Sequence, residues 1–176
     1  MHLQVEFDIL LLKLNTYEKD GLMQNVDNAR INGLEASLQH EVFGADGALN
    51  ISFIDPRDRE SGRQLQRVAK RTLSYDLDKQ LGGFSVGGTW MLSSDSIDVV
   101  SNSKTLVAER KKIAGFGTLD LRGSWQATHD LGVDLRLANI FDKDYTRALY
   151  SYEGEAYVYR EDRFTVLLGV TWTPNL

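Results

Sequence analysis

The sequence lacks cysteine and has only 2 prolines among its 176 residues. The absence of cysteine excludes disulfide-stapled scaffolds, cysteine zinc sites and thiol nucleophiles. Long hydrophobic runs are also missing, because the longest, residues 9–12 and 166–170, are far shorter than the roughly 20 residues of a membrane-spanning helix. A bundle of transmembrane helices is therefore excluded. A membrane β-barrel is not, since its strands are only half apolar.

The net charge argues against nucleic-acid binding, and the N-terminus argues against a signal peptide. The chain has 25 acidic and 20 basic residues and a formal net charge of −5, so it is a poor general nucleic-acid binder. Residues 1–14 do not match a secretory signal peptide, because no basic segment comes first and Glu6 and Asp8 interrupt the apolar part. We therefore expect no nucleic-acid partner and no signal peptide in this chain.

Alternation of apolar and polar residues with period two is the main pattern, and it predicts an all-β fold. In the clearest run, residues 118–127, one face carries leucine, glycine, tryptophan and alanine, and the other is mostly polar. A loss of phase at residues 9–12 predicts a β-bulge there. The pattern predicts about eight strands, at residues 3–15, 20–43, 48–55, 66–80, 83–95, 114–128, 131–142 and 159–173.

Short and long connections alternate between these predicted strands. Tight turns are expected at residues 43–49, 80–84 and 128–131. Long polar loops are expected at residues 55–66, 96–113 and 143–159. In an up-and-down antiparallel meander all the short turns then lie at one end of the sheet and all the long loops at the other, as in outer-membrane barrels.

A soluble eight-stranded barrel or sandwich, with its apolar face turned inward, is the alternative. Two observations favour the membrane barrel. Charged residues lie well inside the strands on the polar face, as a water-filled lumen allows; they are Glu35, Asp76, Asp120, Arg122, Asp134 and Arg136. Large aromatic residues lie near the ends of the apolar face, as in an interfacial girdle; they are Phe43, Trp90, Trp125, Phe164 and Trp172.

Two stretches resemble the C-terminal portion of TonB-dependent outer-membrane receptors. Residues 25–36 look like a strand motif of this family that contains Gly-x-Glu, here Gly33 and Glu35. Residues 137–145 look like its Asn-Leu-Phe-Asp-Lys-x-Tyr signature near the end of the barrel. The matching residues of this signature are Asn139, Phe141, Asp142 and Tyr145.

The resemblance implies a fold, a location and partners. Residues 1–176 are expected to be the C-terminal part of a 22-stranded transmembrane β-barrel, and to form an open curved sheet in isolation. The plug domain, the TonB-contacting segment and the signal peptide are expected to be absent. Receptors of this family lie in the lipid of the Gram-negative outer membrane and take up ligands with energy from the TonB complex. The implied activity is transport, without enzymatic chemistry or a cofactor, and this part is not expected to function alone.

A subgroup resemblance points to cobalamin as the ligand. Residues 55–58, followed by residues 65–71, are similar to a loop of the cobalamin transporter that ends in Leu-x-Arg-Arg-Ala-Lys. Siderophore receptors share looser versions, so a ferric siderophore is the alternative. A small outer-membrane barrel enzyme and a soluble β-domain are further alternatives. His40 and His129 both fall near the short-turn end, which disfavours an enzyme with its site at the loop rim.

The last strand departs from the family pattern in two ways. Trp172 stands where the family has the aromatic residue that the barrel-assembly machinery recognises, but four further residues, 173–176, follow it. The family's Gly-Arg before the last strand is replaced by the charged residues 160–163.

Two groups in the long loops are candidate ligand contacts. The basic residues Arg57, Arg59 and Arg63 could contact a ligand or anionic lipopolysaccharide, and the alternative is a solvated loop with internal ion pairs. The aromatic residues Tyr150, Tyr152 and Tyr157 could stack on a flat ligand. No metal site is predicted, because Asp95 and Asp98 are too isolated for a calcium loop and the histidines lack metal-ligand spacing.

Overall fold

The computed structural model describes part of the chain: residues 3–12, 17–19, 22–24, 29–102, 107–152 and 155–174. This part contains no helix that is long and apolar enough to cross a membrane. Its regular structure consists of strands. In chain order they are β1 (Leu3–Leu12), β2 (Tyr17–Lys19), β3 (Leu22–Gln24), β4 (Ala29–Val42), β5 (Ala45–Asp58), β6 (Arg71–Leu81), β7 (Phe84–Ser93), β8 (Ser96–Asn102), β9 (Val107–Ile113), β10 (Phe116–Gln126), β11 (Leu131–Ala138), β12 (Thr146–Tyr152), β13 (Glu155–Arg160) and β14 (Thr165–Trp172).

One antiparallel sheet dominates the described residues. It has 8 strands in the order β1-β4-β5-β6-β7-β10-β11-β14, and sequential members are neighbours throughout. The predicted all-β antiparallel meander is therefore confirmed. Strands β1 and β14 are the two edges of this sheet. The sheet is open, as expected from the sequence.

The tight turns lie where the sequence predicts them, but the first is shorter than expected. Phe43 and Gly44 alone join β4 to β5, and both have positive φ, 51° and 70°. Positive φ at both central residues suits a two-residue hairpin, because it matches the twist of the flanking strands. The predicted turn over residues 43–49 is wrong in its length, since Ala45 already pairs with Val42 and Ala48 with Gln39.

Two predicted loops are β-hairpins instead. Residues 96–102 and 107–113 form β8 and β9, and β12 and most of β13 lie within residues 143–159. Each of these hairpins pairs only with itself and stands apart from the main sheet. Such a hairpin does not need one continuous apolar face, so the sequence does not show the strong alternation from which the main strands are predicted. The predicted last strand, 159–173, is correspondingly too long, because Tyr159 belongs to β13.

The bulge predicted at residues 9–12 is also wrong. Strand β1 pairs with β4 without a register shift, from Leu3 opposite His40 to Leu12 opposite Ile31. The apolar run at the end of β1 therefore changes the sequence pattern without inserting a residue into the ladder. The predicted strand over residues 20–43 begins later, at Ala29, and β2 and β3 form a short hairpin before it.

The register aligns the apolar positions of neighbouring strands into one face. One cross-strand row contains Leu49, Tyr75, Trp90 and Leu119, which pair in succession from β5 to β10. Within the described residues no second layer of structure covers this face, and 48% of the surface of Trp90 is exposed to solvent. The face is therefore a large apolar surface that requires an apolar environment outside the chain.

Aromatic side chains lie towards both margins of this apolar face. At the short-turn end Phe84 and Trp125 stack with ring centroids 5.6 Å apart, and Trp172 is opposite Leu131. Phe164 lies at the other end of the last strand. From Phe164 to Trp172, steps of about 3.3 Å per residue make roughly 26 Å. This length along the strand is close to the height of the apolar band of outer-membrane barrels, about 25 Å, before strand tilt is considered.

The opposite face carries charged residues that pair across strands. Arg122 of β10 forms an ion pair with Asp78 of β6 and lies 3.5 Å from Asp76. Thr89 of β7 donates a hydrogen bond to Asp76 (2.5 Å) and accepts one from Arg122 (2.6 Å). Gly87 leaves space for this network, because a Cβ there would overlap the carboxylate of Asp78. The polar face is therefore an ordered surface of matched charges.

We predict that the 176-residue chain alone will not form a closed barrel in lipid vesicles. Strands β1 and β14 each leave one side of their backbone unpaired, and each unpaired group in lipid costs several kcal/mol. After refolding into vesicles, the chain should aggregate or be digested by trypsin. A closed eight-stranded barrel refolded in parallel is the positive control. A protease-resistant monomer whose gel mobility changes on heating would contradict the prediction.

Candidate functional site

The long connections of the main sheet gather at the end opposite the tight turns. We call residues 59–70, the β8–β9 hairpin and the β12–β13 hairpin the loop surface. Each of the three begins after a strand that runs away from a tight turn. The antiparallel order alone therefore brings them to the same end.

Asp98 of β8 joins all three parts of the loop surface. Its side chain is fully buried, at 0% exposure. Its carboxylate accepts hydrogen bonds from Nε of Arg67 (3.2 and 3.0 Å), the amide of Val99 (2.8 Å) and the amide of Leu149 (2.7 Å). Both carboxylate oxygens are therefore engaged by donors, as a buried charge requires.

Arg67 completes the connection between the same segments. Its amide donates to the carbonyl oxygen of Ile97 (2.7 Å) and its Nη2 to that of Leu149 (2.9 Å). Arg67 adopts a φ of 60°, an uncommon conformation for a residue with a side chain. The three segments are thus held together by charged and backbone contacts, with Asp98 at the centre.

Sequence reasoning missed this role of Asp98, which we regarded as an isolated acid. Its partners Arg67 and Leu149 are 31 and 51 residues away along the chain. No local spacing links them, and the hairpin that contains Asp98 was predicted to be a loop. The available signal was only an acid between the apolar Ile97 and Val99.

The predicted basic contacts differ in their environment. Arg57 at the end of β5 is engaged internally, because its Nε lies 2.7 Å from Asp55 and its Nη1 donates to the carbonyl oxygen of Gly62. Arg59 and Arg63 lie exposed in the following turn. Among the described residues, no ion pair involves either side chain. These two cations are available to a ligand, whereas Arg57 supports the base of the connection.

Two of the predicted aromatic contacts lie together. Tyr150 and Tyr157 face each other across the β12–β13 hairpin, with ring centroids 5.3 Å apart and planes at 17°. They retain 48% and 39% of their exposure. Stacked, exposed tyrosines offer flat apolar faces together with hydroxyl groups that form hydrogen bonds. The side chain of Tyr152 lies outside the part of the chain that the structure describes.

Asn139 of the second motif organises the start of the last connection. It is buried, with a φ of 51°. Its side-chain amide donates to the carbonyl oxygens of Lys143 (2.9 Å) and Asp162 (3.2 Å), and its Oδ1 accepts from the amide of Lys143. Its own amide donates to Asp120 (2.9 Å). The position requires a short side chain with both donor and acceptor, which asparagine provides.

Asp142 closes the same connection from its other side. Arg163 donates two hydrogen bonds to its carboxylate (2.7 and 2.5 Å), and the amide of Phe164 donates a third. The bond from Arg163 holds the pKa of Asp142 below its usual value. The stabilisation is present above the ordinary pKa and is lost as the pH falls through the lowered one. The charged residues 160–163 thus close the connection through ion pairs.

The remaining motif residues have distinct positions. Tyr145 stacks on Phe116 at 4.2 Å, and Arg147 lies over both rings, 5.5 and 5.8 Å from their centroids. Phe141 is largely exposed. Through Tyr145, the second motif therefore holds the last connection onto the start of β10.

The first motif and Trp172 lie on the main sheet. A Cβ at Gly33 would lie 2.5 Å from Ile54, so only glycine fits this approach. Glu35 accepts a hydrogen bond from Ser52 on the polar face (3.0 Å). Residues 25–28, with which the motif begins, are outside the described residues. Trp172 is exposed on the edge strand β14.

The family model described as "TonB dependent receptor-like, beta-barrel" matches residues 10–140. The chain belongs to this TonB-dependent receptor family. The family consists of receptors and transporters, not enzymes. The resemblance found in the two sequence motifs is therefore confirmed at the level of the family.

Solved TonB-dependent receptors share the fold. The receptor FpvA of Pseudomonas aeruginosa, bound to a heterologous pyoverdine and iron, is 17% identical with a TM-score of 0.73; the match covers 97% of this chain and 24% of FpvA. The copper transporter OprC is 19% identical with a TM-score of 0.73, covering 97% of this chain and 28% of OprC. The ferric-catecholate import receptor Fiu of Escherichia coli K12 is 15% identical with a TM-score of 0.69, covering 97% of this chain and 25% of Fiu.

The chain thus spans about a quarter of the length of the TonB-dependent receptors that it matches. The names of these structures refer to pyoverdine, copper and ferric catecholates. They do not support the predicted preference for cobalamin.

We predict that Asp98→Ala will release the loop surface while leaving the main sheet intact. Removal of this buried acceptor leaves the amides of Val99 and Leu149 unsatisfied, at a local cost of about 1–3 kcal/mol. In detergent, hydrogen exchange of β8 and β12 should accelerate, and that of β5 to β7 should not change. Asp95→Ala is the matched control, because Asp95 is exposed in the same region and its carboxylate forms one exposed ion pair, with Lys112 (3.3 Å). Equal effects of the two substitutions would contradict the role of Asp98.

Proposed function

We propose that this chain is the C-terminal barrel segment of an outer-membrane receptor that takes up a ferric siderophore. Family membership and the similarity of the sheet to solved receptors carry the proposal. The apolar face, with aromatic residues towards both margins, would contact the lipid of the Gram-negative outer membrane. The opposite face, with its paired charges, would line a water-filled lumen.

The loop surface is the ligand-contacting part in this proposal. Arg59 and Arg63 would attract an anionic iron complex, and Tyr150 with Tyr157 would stack on a flat or aromatic part of the ligand. Asp98 would position the hairpin that carries both tyrosines, because it accepts a hydrogen bond from the amide of Leu149 next to Tyr150. Tyr152 remains a predicted contact.

The geometry weakens the argument for cobalamin. That argument rests on residues 55–58 and 65–71. Within them, Arg57 pairs with Asp55 and Arg67 with Asp98. Both arginines thus have roles in holding the connection, and these explain their presence without a particular ligand. A siderophore therefore agrees better with the solved relatives, and the contacts of this stretch do not favour either ligand.

The remaining partners follow from the proposed receptor. A plug domain and further strands would complete the barrel, and the TonB complex would supply the energy for uptake. The barrel-assembly machinery would recognise the last strand at Trp172, which is exposed on β14. The open edges of β1 and β14 would pair with the additional strands.

Uptake measurements with variants at the native locus test the proposal. We expect Tyr150→Ala combined with Tyr157→Ala to lower uptake of labelled ferric siderophore roughly 10-fold, because each aromatic contact contributes about 0.5–1.5 kcal/mol. Uptake of labelled cobalamin should not change. The matched control is Tyr150→Phe with Tyr157→Phe, which keeps the rings and should retain most of the siderophore uptake.

Selective loss of cobalamin uptake would overturn the proposed ligand class. If neither siderophore uptake nor cobalamin uptake falls, the two tyrosines are not part of the ligand site. Outer-membrane fractionation of each variant separates a binding defect from a failure of assembly, because a variant that is assembled normally must be present in the membrane at the level of the parent chain.

A further inference from the structure

An apolar groove lies on the outer margin of the apolar face, at the end of the sheet that carries the loop surface. Its volume is about 560 Å³. Ile51, Leu73 and Leu92 form a cross-strand row along it, since Ile51 pairs with Leu73 and Leu73 with Leu92. Phe53 lies two residues beyond Ile51 on β5, towards the loop surface; it also lines the groove and is half exposed.

Two cationic side chains line the same groove, Arg71 and Lys143. Arg71 is the first residue of β6 and is opposite Phe53 in the register. The period-two alternation places it on the same face as Leu73. Lys143 belongs to the connection after β11. Within the described residues, neither side chain has an ion pair, and both residues are exposed.

The carboxylates next to these cations are already engaged by other bases. Asp55, two residues beyond Phe53 on β5, pairs with Arg57 (2.7 Å) and lies 3.8 Å from Lys70. Asp142, adjacent to Lys143, is held by Arg163. Within the part of the chain that the structure describes, the two positive charges of the groove are therefore uncompensated, although acidic residues are close in the sequence.

We propose that this groove binds a phosphate-bearing lipid of the surrounding membrane leaflet. The phosphate would lie against Arg71 and Lys143, and one acyl chain would lie along Ile51, Leu73 and Leu92. A purely apolar ligand would leave both cations without a partner, and a soluble anion would leave the apolar row uncovered. An anionic amphiphile satisfies both, because basic side chains at the margin of an apolar surface attract anionic headgroups.

This inference rests on the membrane location in the proposed function, but not on the identity of the transported ligand. The groove lies on the face opposite the paired charges of Asp78 and Arg122. A siderophore that crosses the lumen would not meet it. Loss of lipid selectivity and loss of uptake are therefore separate outcomes.

Fluorescence quenching in detergent micelles tests the inference. Of the 3 tryptophans, Trp90 lies two residues from Leu92 on the same face of β7, and Trp125→Phe with Trp172→Phe leaves it as the single reporter. Brominated phosphatidylglycerol should quench Trp90 at about 30-fold lower concentration than brominated phosphatidylcholine, because each basic residue near an anionic lipid contributes roughly fivefold. Arg71→Gln with Lys143→Gln should remove this preference.

Lys111→Gln with Lys112→Gln is the matched control, because it removes the same charge from β9 without touching the groove. This variant should keep the preference for phosphatidylglycerol. Equal quenching by the two lipids, a preference that survives Arg71→Gln with Lys143→Gln, or its loss in the control would each overturn the inference. If millimolar inorganic phosphate abolishes the preference for phosphatidylglycerol, the groove binds a free anion instead of a lipid.

Discussion

Antiparallel backbone pairing between sequential strands is the constraint on which the rest of this structure depends. Side chains alternate between the two faces of a strand, so the fixed register places most apolar residues of β4 to β7, β10, β11 and β14 on one face and most polar residues on the other. A shift of one residue would move the apolar set of that strand to the charged face. The row from Leu49 through Tyr75 and Trp90 to Leu119 shows this alignment across four strands. The sheet consequently presents two chemically different surfaces to two environments.

Charged residues are paired between separate segments of the chain both on the polar face and at the loop surface. On the polar face Arg122 reaches Asp78 across β7, and Gly87 leaves the space between them. At the loop surface Asp98 is wholly buried and receives donors from two other connections. In both places a charge is matched by residues far away in the sequence. The two places differ in exposure: the side chains of Arg122 and Asp78 remain partly open to solvent, whereas Asp98 is buried and depends on its partners.

The arrangement assigns separate tasks to separate parts of the chain. The loop surface combines stacked tyrosines with Arg59 and Arg63, which have no ion pair among the described residues, and we propose that this surface contacts the ligand. The apolar face carries its aromatic residues towards the margins, and Arg71 and Lys143 lie at one of those margins. The second family motif, through Asn139 and Asp142, connects the last hairpin to the barrel wall. This motif is therefore structural, even though it is the most recognisable part of the sequence.

The strand periodicity, the two faces, the alternation of short and long connections and the family can all be predicted from the sequence. These features are local, because period two is visible within each run of residues. Only the tertiary structure decided which distant residues meet. The hairpins of residues 96–113 and 146–160 pair with themselves and lack the alternation of the main sheet, so they were predicted to be loops. In the sequence Asp98 stands as an isolated acid, because its partners are 31 and 51 residues away, and contacts across such distances are set by sheet order, which no local spacing records.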